Sequence, residues 1–203
     1  RPPRSTQSRS SAASDVYKRQ GFDNDNWKEI RFDIDKSVNP DIEGTITDMK
    51  RVETASVDAI YSSHNIEHIF PHQVPIALSE FSRVLKNNGM AVILCPDLQS
   101  VCKEISQGNL LNTLYTTSSG PIAPIDILYG HRSLLAKGNE YMAHKCGFTY
   151  PVLNSLLSDA GFQARLGGSR SEDFQISVVA FKIKKSEQEL KKIAAPFLPW
   201  FKF

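Results

Sequence analysis

The 203-residue chain is 40% hydrophobic, 9% aromatic and 23% charged, the proportions of one globular domain rather than of a fibrous or disordered chain. Its longest purely apolar run, Met90 to Cys95, is far short of the roughly 18 residues that span a bilayer, which excludes a transmembrane helix. The formal charge of +2 is unevenly placed: residues 1–20 carry +4 and the remaining body −2, so the basic face of a nucleic-acid binder is not expected.

The first segment, RPPRSTQSRSSAASDVYKRQ, is a Ser/Arg/Pro mixture without helical or strand period. It is expected to be disordered and foreign to the fold, a sequence artefact, with a transit peptide as the competing reading. EIRFDID (29–35) and DIEGTI (41–46) then read as two strands around a Ser-Val-Asn-Pro turn, and VDAIYSS (57–63) as a third, buried on both faces. Val74, Leu78, Phe81 and Leu85 form one apolar stripe of a helix over 73–85, stopped by Asn87-Asn88-Gly89. MAVILC follows as a fourth buried strand, closed by Pro96.

A helix is expected over 97–107, an irregular stretch over 108–147, and a further helix over 151–160 with Thr149 as N-cap and Gly161 as C-cap. FQARLGG and FQISVVAFKI are close enough to pair as a terminal hairpin. Alternating strands and helices imply an α/β fold with a doubly wound, mostly parallel sheet. The domain is expected over 21–183. Residues 184–203, with a net charge of +4 over 182–203 and four aromatic residues near the end, form an arm that Pro196 and Pro199 keep from continuing as one helix. Packing or an oligomer contact is the expected use of that arm, which makes a homo-oligomer one reading. Three cysteines, Cys95, Cys102 and Cys146, without a Cys-x-x-Cys pair suit a reduced, cytoplasmic protein.

Ligands of such sheets bind beyond the carboxyl ends of the strands. The residues there are Asp33 and Asp35, then Ile46 to Asp48, then Ser63-His64-Asn65, then Pro96-Asp97. An acid after one strand, a second acid on the next, VDAIYSSHNIEHI, and a helix ending EFSRVLKNNG resemble the class I S-adenosylmethionine-dependent methyltransferases, of the small bacterial type 11-like branch, over about 21–182. That resemblance implies a Rossmann-like fold, S-adenosylmethionine as cofactor and a small-molecule methyl acceptor. It places Asp33 on the ribose hydroxyls with Asp35 as substitute, and Ile46 and Asp48 around the adenine. Ser63 and His64 form the pocket floor, and Gly21 is the remnant of the glycine-rich turn that meets the methionine end.

The chain departs from the pattern at Gly44-Thr45, where Gly-Asp is common, and at its front, where no apolar strand precedes Gly21. A missing or replaced first central strand would leave two ladder edges unpaired, so the chain is expected to be a fragment lacking its native first strand. Methyl transfer from a sulfonium needs in-line positioning, and a base only where the acceptor loses a proton; His68 and His144 are the candidates for that base. Tyr129, His131, Asn139, His144 and Lys145 are candidates for lining an acceptor pocket. A non-catalytic methyltransferase-like domain is the alternative function.

His64-Asn65-Ile66-Glu67-His68 also matches the H-x-x-E-H zinc-hydrolase spacing, with His72, His131 or His144 as further ligands. That motif needs a continuous helix, whereas here it starts at a strand end and meets Pro71. No metal site is therefore expected.

Overall fold

The structure, a computed structural model, describes residues 4–9, 22 and 27–201. Its strands in the first half are β1 (Arg4–Arg9), β2 (Lys28–Asp33), β3 (Ile42–Glu43), β4 (Val57–Ser63) and, after helix α1 (Val74–Val84), β5 (Leu85–Pro96). Helix α2 (Leu98–Ser106), a small hairpin β6 (Tyr115–Thr117) and β7 (Gly120–Ile122), and short helices α3 (Pro124–Tyr129) and α4 (Arg132–Leu135) follow. Helix α5 (Tyr150–Asp159), strands β8 (Ala164–Arg170) and β9 (Gln175–Phe181) and helix α6 (Glu187–Ala194) complete the order.

Seven strands form one sheet in the order β3-β2-β1-β4-β5-β9-β8. All neighbours from β3 to β5 are parallel, and β9 runs antiparallel to both β5 and β8. The expected doubly wound α/β sheet with a terminal hairpin is thus the observed one. The expectation for the chain's start is corrected for Arg4–Arg9, whose backbone pairs in parallel with β2 on one side and β4 on the other. The central position is filled, by a strand without one apolar residue; the physical demand is for backbone partners, and any extended segment supplies them. Residues 10–21 and 23–26, Gly21 among them, lie outside the described residues.

Side chains alternate across a strand, and that alternation divides the core in two. Ala91, Ile93 and Cys95 of β5 and Ile176, Val178 and Ala180 of β9 join Phe32, Leu78, Phe81, Leu153 and Leu157 on the face covered by α1 and α5. Met90, Val92, Leu94, Val179 and Phe181 point the other way, toward Leu190 and Ala194 of α6, Leu198 and the aromatic residues Phe197, Trp200 and Phe201. The C-terminal arm therefore packs on its own sheet. Ser186 caps α6, accepting from Glu189 N, while the Glu189 carboxylate accepts from Ser186 N, a capping box that starts the helix on schedule.

Several boundaries differ from expectation for visible reasons. DIEGTI contributes only Ile42–Glu43 to the sheet, and the chain then turns, Asp48 N donating to Thr45 O and Val52 N to Met49 O. Helix α1 ends at Val84, and Asn87-Asn88-Gly89 belongs to β5, in a stretch where the β4–β5 register shifts. Gly89 is needed there because a Cβ would lie 3.1 Å from Asp58 O and 3.0 Å from Lys86 O. Thr149 does precede α5, but its side chain makes no capping bond. The stretch 108–147 holds β6, β7, α3 and α4 instead of being irregular throughout.

Candidate functional site

Strand β2 ends by burying Phe32 and Asp33. Asp33 Oδ1 accepts from Asp35 N at 2.9 Å, while Asp33 Oδ2 is buried with no hydrogen-bond partner. Burial raises the Asp33 carboxyl above its ordinary value, and the backbone bond from Asp35 only partly opposes this. A carboxylate oxygen without a donor at the carboxyl end of a parallel strand is suited to receive a ligand hydroxyl. Asp35 is otherwise engaged, capping the 36–38 turn through Ser37 N at 2.8 Å.

The other expected cofactor contacts divide. Ile46 is buried in the α1-side core, so only its backbone remains to face a ligand. Asp48 is half exposed and tied to Lys50 at 2.8 Å, with its carboxyl held low by that contact. Ser63 ends β4 opposite Leu94. His64 follows with φ +53°, a left-handed backbone uncommon outside glycine. Its N–H donates to Leu94 O, and its ring lies 3.2 Å from Gln175 Oε1 and 3.2 Å from Glu67 Oε1.

His68 and His144, expected as bases, come together although one follows β4 and the other precedes α5. Their ring centroids are 4.8 Å apart at 70°. The loop carrying His144 is laid against the turn carrying His68: Lys145 N and Cys146 N donate to Glu67 O, and Cys146 Sγ approaches Ile66 O. His68 Nδ1 lies 3.1 Å from Ala143 O and His144 Nδ1 2.6 Å from Ile127 O. A carbonyl only accepts, so both Nδ1 atoms carry a proton, and whenever a ring is neutral its lone pair is on Nε2. His68 Nε2 is buried without a partner.

Beside the rings lies Glu67, 0% exposed. Apart from the approach of His64, neither of its oxygens finds a donor. Burial pushes its carboxyl up, but His64, His68 and His144 together outweigh that and hold it at about 2. Burial lowers His144, with Glu67 opposing. In the sequence Glu67 belongs to the VDAIYSSHNIEHI segment and to the H-x-x-E-H spacing, and neither gives it a role of its own. The structure removes that reading, since residues 66–68 form a single 3-10 turn and His64 is left-handed rather than helical. The signal that could have found the cluster is a His-Lys-Cys segment facing a Glu-His pair, which no local spacing reveals.

A cavity of about 510 Å³ opens beside His64, lined among others by Tyr61, Tyr115, Arg170, Gln175 and Trp200. None of the residues expected to line an acceptor pocket lines it. Tyr129 is exposed, His131 is buried, and the Lys145 ammonium sits 5.1 Å above the Phe70 ring. Arg83, in the EFSRVLK helix, is a fixed structural link: it pairs with Glu80 at 2.6 Å and donates to Val52 O and Met49 O.

Residues 12–93 match the methyltransferase-domain family. No curated protein matches the chain. Among solved structures, an S-adenosylmethionine-dependent methyltransferase from Archaeoglobus fulgidus superposes with a TM-score of 0.53 at 13% identity, covering 89% of this chain and 86% of that one. The methyltransferase domain of the citrinin polyketide synthase gives 0.54 at 11%, over 91% of this chain and 47% of its own. The 1,6-didemethyltoxoflavin N1-methyltransferase of Burkholderia thailandensis, solved with S-adenosylhomocysteine, gives 0.50 at 14%, over 91% and 72%. The chain spans about half the length of the citrinin domain's chain. At these identities the likeness shows the fold, and that fold is the Rossmann-like fold of the class I S-adenosylmethionine-dependent methyltransferases. Over residues 12–93 the family match and the architecture agree.

Proposed function

We propose that the chain transfers a methyl group from S-adenosylmethionine to a small-molecule acceptor. The observation that carries this reading is Asp33, a buried acid with one unpartnered oxygen at the end of β2 in a methyltransferase fold. Asp33 would receive the ribose hydroxyls, the backbone at Ile46 the adenine edge, and Ser63 and His64 would form the floor. The sulfonium supplies an activated methyl group, and the protein's task is alignment and exclusion of water. Where the acceptor must lose a proton, His144 is the group to take it, on Nε2, with Glu67 balancing the resulting charge. His68, closed off at Nε2, positions the other two.

The small acceptor is supported by the −2 charge of residues 21–203, which offers no nucleic-acid face, and by the toxoflavin precursor that the Burkholderia relative binds. Three free cysteines support a reducing, cytoplasmic setting; among the described residues no helix is long and apolar enough to cross a membrane. One observation favours a second reading, a methyltransferase-like domain without activity: Asp48, the acid expected at the adenine, is spent on Lys50.

Calorimetric titration with S-adenosylmethionine separates the two. Saturable binding is expected, weakened roughly tenfold or more by Asp33→Ala, about 1.4 kcal/mol, and less by Asp35→Ala. No binding by the folded chain would favour the inactive domain, and equal losses from the two substitutions would move the ribose contact away from Asp33.

A further inference from the structure

We propose that Glu67, His68 and His144 bind one divalent transition-metal ion of the zinc class. One ligand atom from each of the three lies within 4.8 Å of the others. This set differs from the H-x-x-E-H spacing: it omits His64 and recruits His144 from a distant loop.

Three independent features of the cluster point to a cation. The first is the state of Glu67. A carboxylate taken wholly out of water costs several kcal/mol unless charge and hydrogen bonds replace the lost solvent, yet its oxygens have no donor beyond the approach of His64. The second is the orientation of the imidazoles. Ala143 O and Ile127 O fix both Nδ1 atoms as donors, so each ring, once neutral, offers its Nε2 lone pair to a cation shared with the carboxylate. This is the way a metal-binding histidine is held by its outer partners. The third is that His68 Nε2 is buried without a partner. A buried lone pair with nothing to accept from is satisfied by a cation as well as by a proton.

The donor set names the class of ion. Two imidazole nitrogens and one carboxylate oxygen suit zinc and its first-row neighbours better than magnesium or calcium, which prefer oxygen alone. Cys95 and Cys146 stand outside the set, and burial raises both thiols. Tetrahedral bonds of roughly 2.1 Å put ligand atoms about 3.4 Å apart, so the side chains must draw in by up to about 1.4 Å. The frame around them is fixed by the Lys145 and Cys146 bonds to Glu67 O. It is fixed too by Gly130, at φ +100°, where a Cβ would strike Met142 O. Three protein ligands leave a coordination position for water or another small ligand.

The proposal rests on the cluster alone and stands whether or not Asp33 binds a nucleoside. A proton-accepting His144 and a metal-binding His144 use the same lone pair, and the experiment tells them apart. The full chain, stripped with chelator, is titrated with Zn²⁺ by calorimetry and with Co²⁺ by visible absorption, without S-adenosylmethionine. One ion per chain is expected. Glu67→Gln and His144→Ala should each weaken binding roughly tenfold or more, and His64→Ala and His72→Ala should weaken it less. If Glu67→Gln does not fold, by circular dichroism, His144→Ala decides. Absence of saturable binding by the folded chain, or His144→Ala binding as tightly as the parent, overturns the proposal, as does a loss confined to His64→Ala.

Discussion

Two buried acids in this fold are treated oppositely. Asp126, 4% exposed, accepts from Ala123 N at 2.9 Å, from Arg132 N at 3.1 Å, and from Arg132 Nε and Nη2 at 2.7 and 3.0 Å; Glu67 has only the approach of His64. Burial alone would raise Asp126, but Arg132 and the two backbone donors outweigh it and hold the carboxyl below its ordinary value. A depressed carboxyl adds stability that is complete above the unfolded value and lost as pH falls through the folded one. The denaturant midpoint should therefore hold between about pH 7 and pH 5 and fall below about pH 4. Asp126→Ala should cost about 2 to 3 kcal/mol at neutral pH and flatten the acid decline, which unfolding series at stepped pH would show; an unchanged acid limb would deny Asp126 that role. Neither its pairing nor that of Glu67 with His144 was legible beforehand, because each depends on where an irregular loop returns. Asp33 was legible, since its position at a strand end follows from local pattern alone.

At the scale of elements, legibility followed the strength of the hydrophobic period. VDAIYSS is β4 to the residue and the terminal hairpin is β8–β9, because β4 and β9 are buried strands whose sequence is dictated by two packed faces. Strand β3 shrinks to two residues, and Gly44 just after it leaves room for the Phe32 ring, 2.6 Å from where a Cβ would lie. Strand β1 was illegible: RSTQSR carries no apolar alternation, and its place is given by ladder bonds to β2 and β4, which sequence does not display. Its removal should be costly for that reason. Deleting residues 1–9 exposes the facing edges of β2 and β4 in the middle of the sheet, and the shortened chain is expected to lose cooperative unfolding by circular dichroism. A deletion variant that unfolds at the parent's denaturant midpoint would show that the strand contributes nothing.

Across the whole molecule the sheet separates two environments. On the α1 and α5 side the loops after β4 and before α5 close over Glu67, His68 and His144. On the other side α6 and the arm pack the aromatic residues Phe197, Trp200 and Phe201 beside Phe22 and Trp27, with Phe22 4.9 Å from Trp27 and 4.7 Å from Phe197. Asp33 and Ser63-His64 lie at the carboxyl ends of β2 and β4, on either side of β1. That is where a doubly wound sheet offers its crevice. The central claim, that this crevice takes S-adenosylmethionine, is tested most directly by hydrogen–deuterium exchange of the full chain with and without saturating cofactor. Slowed exchange is expected in peptides covering residues 31–36 and 61–68. Protection confined to the β8–β9 edge, or no change anywhere at saturation, would contradict it.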